Sequence, residues 1–258
     1  NFNWNGHDND NVICKDGAYS ASLTILAANG SEASATSSNF VLDTVKPNLV
    51  AQIPWDSFSP DGDSAQDNVP ISITECTNEK LWTCDVRNSK DISVKKYNWN
   101  GTKSEIVWDG TDESGNLAKD GNYNIILFTT DDAGNSFTTE IKGISLDTRE
   151  TKAYLTAEYE GISPNGDKVL ESQIFNVSTT VAEGIASWQF DVRKEDGTSV
   201  YKLTEKDIKN LPTQITWNGA DSKGNACEGT FTGTLEINYK KGNRVSSVSS
   251  AFVCTALP

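Results

Sequence analysis

The feature that most constrains this chain is a block of residues that occurs three times. It reads Trp4-Asn5-Gly6-His7-Asp8 running to Gly17-Ala18-Tyr19, then Trp108-Asp109-Gly110-Thr111-Asp112 running to Gly121-Asn122-Tyr123, then Trp217-Asn218-Gly219-Ala220-Asp221 running to Gly229-Thr230-Phe231. Successive tryptophans are 104 and 109 residues apart. About 100 residues is the length of one small β-sandwich. Solenoids repeat every 20–50 residues or so, and a period this long points instead to an array of whole domains.

Other landmarks keep nearly the same spacing. Ser59-Pro60-Asp61-Gly62-Asp63 returns as Ser163-Pro164-Asn165-Gly166-Asp167. Trp82-Thr83-Cys84-Asp85-Val86-Arg87 returns as Trp188-Gln189-Phe190-Asp191-Val192-Arg193. Both of the latter, with Val69, Ile71 and Ile73, place large apolar residues at every second position, as inner strands do. After the tryptophan blocks the alternation is cleanest: Phe231, Leu235, Ile237 and Tyr239 against Thr232, Thr234, Glu236 and Asn238. Tyr19, Ala21, Leu23 and Ile25 repeat it, while Ile126 and Phe128 beside Tyr123, Ile125 and Leu127 predict a strand covered on both faces. Each strand then meets a hairpin signal, at Ala28-Asn29-Gly30, Asp132-Ala133-Gly134-Asn135 and Lys241-Gly242-Asn243. The only weak helical stretch is Leu203 to Leu211.

The domain boundaries follow from Leu42-Asp43-Thr44-Val45-Lys46-Pro47 and Leu146-Asp147-Thr148-Arg149-Glu150, each at the end of a last strand. Pro47 cannot donate to a ladder and suits a linker. The division expected is residues 1–46, the C-terminal half of a repeat, then 47–148 and 149–258 as full repeats. Short linkers predict a semi-rigid, elongated array.

Composition narrows the function. Twenty-two basic against thirty-six acidic residues leave a formal charge of −14, which repels phosphate backbones and argues against nucleic acid as a partner. No apolar run approaches the ~20 residues that span a bilayer. Asn1 stands inside a repeat motif and the chain has no Met, so it reads as a piece of a longer polypeptide whose export signal lies elsewhere.

Five cysteines and a single His7 give no metal-ligand pairing of the CxxC kind. Cys76 and Cys84 flank a short polar segment and are expected to bridge, which would stabilise by about 2.5 kcal/mol. Cys227 and Cys254 are expected to form a second disulfide, leaving Cys14 alone. A loop-rich extracellular domain usually oxidises its cysteines.

At Trp108-Asp109-Gly110-Thr111-Asp112, Gly115-Asn116, Asp120-Gly121-Asn122-Tyr123 and Asp132-Ala133-Gly134-Asn135, the chain resembles the immunoglobulin-like module of the flagellar hook-capping protein FlgD. It is similar also to related repeats of large bacterial cell-envelope proteins. Phe58-Ser59-Pro60-Asp61-Gly62-Asp63 resembles the F-S-P-N-G-D-G opening of those repeats and of gliding-motility-associated C-terminal domains. The resemblance runs through essentially the whole chain. It implies an all-β protein of tandem immunoglobulin-like β-sandwich domains, each of about seven strands, in a multidomain protein outside the cytoplasm: extracellular, at the cell surface, or in the periplasm. The pattern departs from the family after the opening, where Gly-x-Asn-Asp gives way to Ser64-Ala65-Gln66-Asp67 and Lys168-Val169-Leu170-Glu171.

Candidate chemistry is sparse. Asp61, Asp63 and Asp67 supply three carboxylates within seven residues, a candidate calcium set, although without the order or closing Glu of an EF-hand. Turn chemistry explains the same residues. Asp8, Asp112 and Asp221 fit acceptors for the free N–H groups of their own turns. Trp4, Trp108 and Trp217 lie at strand ends and fit core plugs better than sugar-stacking platforms. With one histidine no Ser-His-Asp set can be assembled, and no catalytic residue is expected. No cofactor is expected beyond that candidate calcium. The reading is a non-catalytic spacer of a bacterial surface or envelope protein whose partners are neighbouring domains of its own polypeptide. Its alternatives are an adhesin or carbohydrate-binding module taking protein or glycan ligands, with Trp55, Trp82 or Trp99 exposed, and accessory domains of a secreted enzyme.

Overall fold

The computed structural model describes residues 2–255. Every regular element among them is a strand. Residues 17–42 hold β1 (Gly17–Tyr19), β2 (Ser22–Leu26), β3 (Glu32–Thr36) and β4 (Phe40–Leu42). Next come β5 (Leu49–Gln52), β6 (Ser57–Phe58), β7 (Val69–Cys76), β8 (Glu79–Asn88), β9 (Ser93–Gly101), β10 (Glu105–Trp108), β11 (Gly121–Thr130) and β12 (Ser136–Leu146). The last nine are β13 (Ala153–Ala157), β14 (Gly161–Ile162), β15 (Gln173–Thr179), β16 (Ile185–Lys194), β17 (Ser199–Thr204), β18 (Gln214–Trp217), β19 (Gly229–Tyr239), β20 (Arg244–Val248) and β21 (Phe252–Cys254).

The sheets show the repeat directly. Strand order β10-β7-β5 recurs as β18-β15-β13, and β6-β12-β11-β8-β9 recurs as β14-β21-β19-β16-β17, with β20 on the free edge of β19. In both, the short strand after the first linker strand joins the last strand in parallel, at Leu146↔Phe58 and Cys254↔Ile162. The chain divides into two compact units, Asn1–Gln52 with Ile71–Ile106 and Asn124–Lys142, and Ile53–Pro70 with Val107–Tyr123 and Gly143–Pro258.

In the first unit, β2 and β3 form a two-stranded ribbon exposed along its length, so Leu23 and Ile25 face solvent. Trp82 is fully buried there, stacked on Trp99 with Phe137 at its edge.

In the second unit, Trp108 packs between Phe58 and Tyr123. Strands β13 to β21 form a β-sandwich whose two sheets, antiparallel except for the β14–β21 pair, meet over one apolar core. Leu155, Phe175, Val177, Ile215 and Trp217 enter it from one sheet, and Trp188, Phe190, Val192, Leu235, Ile237 and Phe252 from the other. The alternation read in β19 is the alternation of burial found there. Gly233 has a specific cause: a Cβ at that position would meet the Phe175 ring at 2.5 Å, so the aromatic core closes only over bare backbone.

The weak helix at Leu203 to Leu211 is not formed. Residues 199–204 pair with β16, and Asp207 Oδ2 accepts hydrogen bonds from the N–H and hydroxyl of Thr204, closing a single turn. A tertiary ladder outbids weak local periodicity.

Candidate functional site

The tryptophan blocks are three copies of one hydrogen-bonded turn. The indole N–H donates to the carbonyl three residues on: Trp4 to His7 at 2.7 Å, Trp108 to Thr111 at 3.1 Å, Trp217 to Ala220 at 2.8 Å. Oδ1 of Asp8, Asp112 and Asp221 accepts the N–H groups two and four residues later, all within 3.0 Å. The carboxylates thus serve the backbone locally, as Asp does in tight turns. Trp108 and Trp217 are buried plugs, whereas Trp4 is 44% exposed and rests on Tyr19 and Phe40. The turn is the same; the cover above the first indole is thinner.

None of the tryptophans named as a binding surface is an exposed platform. Trp82 is buried, and Trp55 and Trp99 are half-buried, Trp55 donating to the carbonyl of Asn68.

Two carboxylates that the sequence reading did not single out are Asp85 and Asp191, both buried on the β8 and β16 inner strands. Asp85 accepts from Arg87 and Ser93, and Asp191 from Gln189 and Ser199 with Arg193 at 3.4 Å. The matched Asp-Val-Arg of the two inner-strand motifs was the available signal.

The two expected disulfides are not formed: Cys14, Cys76, Cys84, Cys227 and Cys254 are all free thiols. Cys76 ends β7 in one sheet, its thiol facing the carbonyls of Thr77 and Gly101, while Cys84 lies mid-strand in the other sheet, fully buried. Proximity in sequence therefore did not become proximity of Cβ vectors. Cys227 and Cys254 are neighbours, and both are buried, but Cys227 donates to the carbonyl of Asn225. Burial pushes the Cys84 thiol up to about 12 and that of Cys254 up to about 11, which suppresses the reactive thiolate.

Both Leu-Asp-Thr linkers are tied to their surroundings by hydrogen bonds. Asp16 Oδ1 accepts the N–H of Thr44 at 3.1 Å and its hydroxyl at 3.0 Å; Asp120 Oδ1 does the same for Thr148, both at 2.9 Å. From the other side, Asn135 Nδ2 donates to the carbonyl of Asp43 at 3.1 Å. In the next copy of that hairpin turn Lys241 Nζ donates to the carbonyls of Asp147 and Arg149. Arg149 in turn forks onto both oxygens of the Asp147 carboxylate, at 3.0 and 2.9 Å.

Asp61, Asp63 and Asp67 are brought together. One oxygen from each carboxylate lies within 4.8 Å of the others. Asp67 accepts the N–H groups of Gly62 and Ser64, Asp63 that of Ala65, and Asp61 that of Asp63. Ser64 and Gln66 adopt φ of 70° and 55° to close the loop. This loop lies against the turn at Lys240–Asn243, where Gln66 Nε2 donates to the carbonyl of Lys240 and Asn243 Nδ2 donates to Asp61 and Asp63. Burial works to raise the Asp61 pKa, but the hydrogen bonds from Asn243, Asp63 and Ser59 and the charge of Lys241 outweigh it, so the group is held below the usual carboxylate value. The second loop of this type keeps the backbone geometry, with φ of 70° at Lys168 and 52° at Leu170, but gathers Asn165, Asp167 and Glu171 instead.

A groove of about 650 Å³ opens beside β15 and β16, lined by Val177, Trp188, Lys209, Leu211 and Pro212 among others. Among the described residues, no helix is long and apolar enough to cross a membrane.

No protein-family model matches the chain, and no curated protein is similar to it in sequence. Solved structures are similar at low identity. A tetra-tandem repeat from the extending region of a large adhesion protein is 17% identical over 93% of this chain, with a TM-score of 0.36, and this chain spans 57% of its length. The fibronectin(III)-like modules of CbhA from Clostridium thermocellum are 13% identical over 80% of this chain and 95% of theirs, with a TM-score of 0.39. A Ca²⁺-stabilized adhesin that helps an Antarctic bacterium reach out and bind ice is 16% identical over 92% of this chain and 56% of its own, with a TM-score of 0.35. Likenesses this distant specify neither ligand nor activity.

Proposed function

We propose that this chain is a spacer segment of a bacterial cell-surface or envelope protein, made of repeats 1–46, 47–148 and 149–258 of the FlgD-like immunoglobulin type. Its partners are then the neighbouring domains of the same polypeptide, and its mechanism is mechanical: stiff sandwiches joined by linkers that resist bending. The observation that carries this reading is the doubled grip on each Leu-Asp-Thr linker. Thr44 and Thr148 are tied back to Asp16 and Asp120, while Asn135 and Lys241 hold the carbonyls of Asp43 and Asp147 from the other side. A linker with its backbone groups so committed has lost most of the freedom that lets beads on a flexible string swing.

Small-angle scattering on the purified chain tests it. A compact globule of 258 residues has a radius of gyration of about 18 Å. The spacer reading expects a clearly larger radius and a rod-like distance distribution that persists as salt is raised; a compact particle would refute it.

One feature favours a second reading, a glycan or protein binder at the cell surface. Trp188 borders the groove beside β15 and β16, and its buried indole N–H has no hydrogen-bond partner. Its counterpart Trp82 donates to the carbonyl of Thr77. A glycan and matrix-protein array decides between a binder and a spacer alone.

A further inference from the structure

We propose that the free edge of β1 and β2, with the apolar face beside it, takes a two-strand segment of another immunoglobulin-type repeat. One strand of that segment pairs antiparallel with the edge, as β16 does with β19, and the other covers the face, as β15 does. The inference rests on reading residues 17–42 as the second half of a repeat, and its test is independent of the scattering test of the spacer.

The half of the sheet that is present matches β19 to β21 residue for residue. Gly17↔Leu42, Tyr19↔Phe40, Leu23↔Ala35 and Ile25↔Ala33 reproduce Gly229↔Cys254, Phe231↔Phe252, Leu235↔Ser247 and Ile237↔Val245, all at one constant offset. What differs is the other edge. There β19 pairs with β16 and β11 with β8, whereas β1 and β2 have no strand on that side among the described residues. The same positions lose their cover: Leu235 and Ile237 are fully buried, but Leu23 and Ile25 are 49% and 58% exposed. A groove of about 550 Å³ opens on this ribbon, lined by Phe2, Ala21, Leu23 and Ala35 among others.

An unpaired edge is ordinarily guarded by charge or proline, because its open N–H and C=O groups recruit other strands. The outer strands β9 and β17 follow that rule with Lys95, Lys96 and Lys202. Gly17 to Leu26 holds neither a charged residue nor a proline. An unguarded edge that continues into an uncovered apolar face has the features of a strand-addition site.

The register of β16 on β19 places the incoming residues. Trp188, Phe190 and Val192 lie opposite Ile237, Leu235 and Gly233, so their equivalents meet Ile25, Leu23 and Ala21. From the facing sheet, Phe175 packs on Phe190 and Phe252 and closes that core. Ala21 sets a size limit on the equivalent of Phe175. A Cβ at Gly233 would meet the Phe175 ring at 2.5 Å, and Ala21 carries that Cβ. Where the strand carries the larger Ile125, the place of Phe175 is held by Ile71. Volumes trade off across a close-packed core, so the incoming segment carries an aliphatic side chain opposite Ala21.

The probe is a labelled peptide covering residues 171–195, which span β15 and β16, made with Phe175→Leu. Fluorescence anisotropy follows its titration with the whole chain, and hydrogen-exchange mass spectrometry maps where it lands. Saturable binding is expected, with new protection centred on Gly17–Leu26. The unaltered Phe175 peptide is expected to bind more weakly, and a scrambled peptide not at all. Leu23→Lys is expected to weaken binding about tenfold or more, because an ammonium buried without a partner costs more than the ~1.4 kcal/mol that equals a factor of ten. Val41→Lys, on the outer face of β4, is expected to leave binding unchanged. Both positions are exposed, so both variants keep the fold, and circular dichroism confirms it. The proposal is overturned by the absence of saturable binding, by equal affinity with and without Phe175→Leu, by binding of the scrambled peptide, by wild-type affinity in Leu23→Lys, or by weakened binding in Val41→Lys. Protection elsewhere in the chain overturns it too, as does a dimer in which a second copy already protects this edge.

Discussion

Lys241 Nζ lies 3.1 Å from the backbone carbonyl oxygen of Asp147 and 3.5 Å from its carboxylate, with the lysine side chain only 3% exposed. A buried ammonium is tolerated here because three oxygens, those two and the carbonyl of Arg149, replace its hydration. Removing the charge while keeping the stem leaves those carbonyls without a donor. Lys241→Met is expected to lower the unfolding free energy by about 2–4 kcal/mol. Urea titration measures this; a change under about 0.5 kcal/mol, the size of ordinary surface effects, would mean that the grip is incidental.

The turn that carries Lys241 is matched by the turn at Asp131–Asn135, which offers a paired comparison. Gly242 and Gly134 have φ of +102° and +93°, so either substitution by alanine strains the backbone by about 1–2 kcal/mol. Only at Gly242 would the new Cβ meet another segment, the carbonyl oxygen of Ala65 at 2.5 Å; at Gly134 nothing lies within 4 Å. Gly242→Ala is therefore expected to cost more than Gly134→Ala, and the difference in urea midpoints isolates the loop–turn contact. Equal costs would dissolve that contact.

The three indoles have different weights. Trp217 is 1% exposed among Phe231 and Phe252, and Trp217→Ala is expected to cost about 3–5 kcal/mol through cavity formation. Trp4, 44% exposed, loses much less on the same change. Chemical denaturation followed by far-ultraviolet dichroism ranks the two, and a Trp4 cost matching that of Trp217 would contradict the burial described.

Acid sensitivity follows from the carboxylates. Asp147 is buried enough to raise its pKa, but the Arg149 fork and the charge of Lys241 reverse this and leave it below the usual 3.8. Asp61 is lowered as well, and so is Asp221, first by its bond from Asn225. A folded pKa below the unfolded one contributes stability that is complete above pH 3.8 and is lost as pH falls through the folded values. The melting midpoint is expected to hold level from neutrality to about pH 5 and to drop below about pH 4. Asp147→Asn should make that drop shallower; a slope identical to wild type would remove Asp147 from the account.

Thiol chemistry checks the cysteines. All five are expected to react with a disulfide reagent in denaturant without reductant, whereas Cys84 and Cys254, with pKa pushed up to about 12 and 11, should be inert in the native protein at pH 8. Three thiols or fewer in denaturant would restore a bridge.

Much of this architecture was legible from residue order because its causes are local. The Trp-to-carbonyl bond spans three residues, the Asp8, Asp112 and Asp221 bonds span two and four, and strand alternation has a period of two. The second loop of the Ser-Pro type shows the same thing, with Lys168 and Leu170 taking the positive φ that Ser64 and Gln66 take. What local order could not reveal was pairing across distance. Cys76 and Cys84 are eight positions apart but on different sheets, whereas Asn243 reaches Asp61 across 182 positions and Lys241 reaches the Asp147 carbonyl across 94. Turns and alternation are written into the chain because a few neighbouring dihedral angles settle them. Which buried lysine, amide or thiol meets which partner depends on where whole sheets come to rest, and only packing of the complete core decides that.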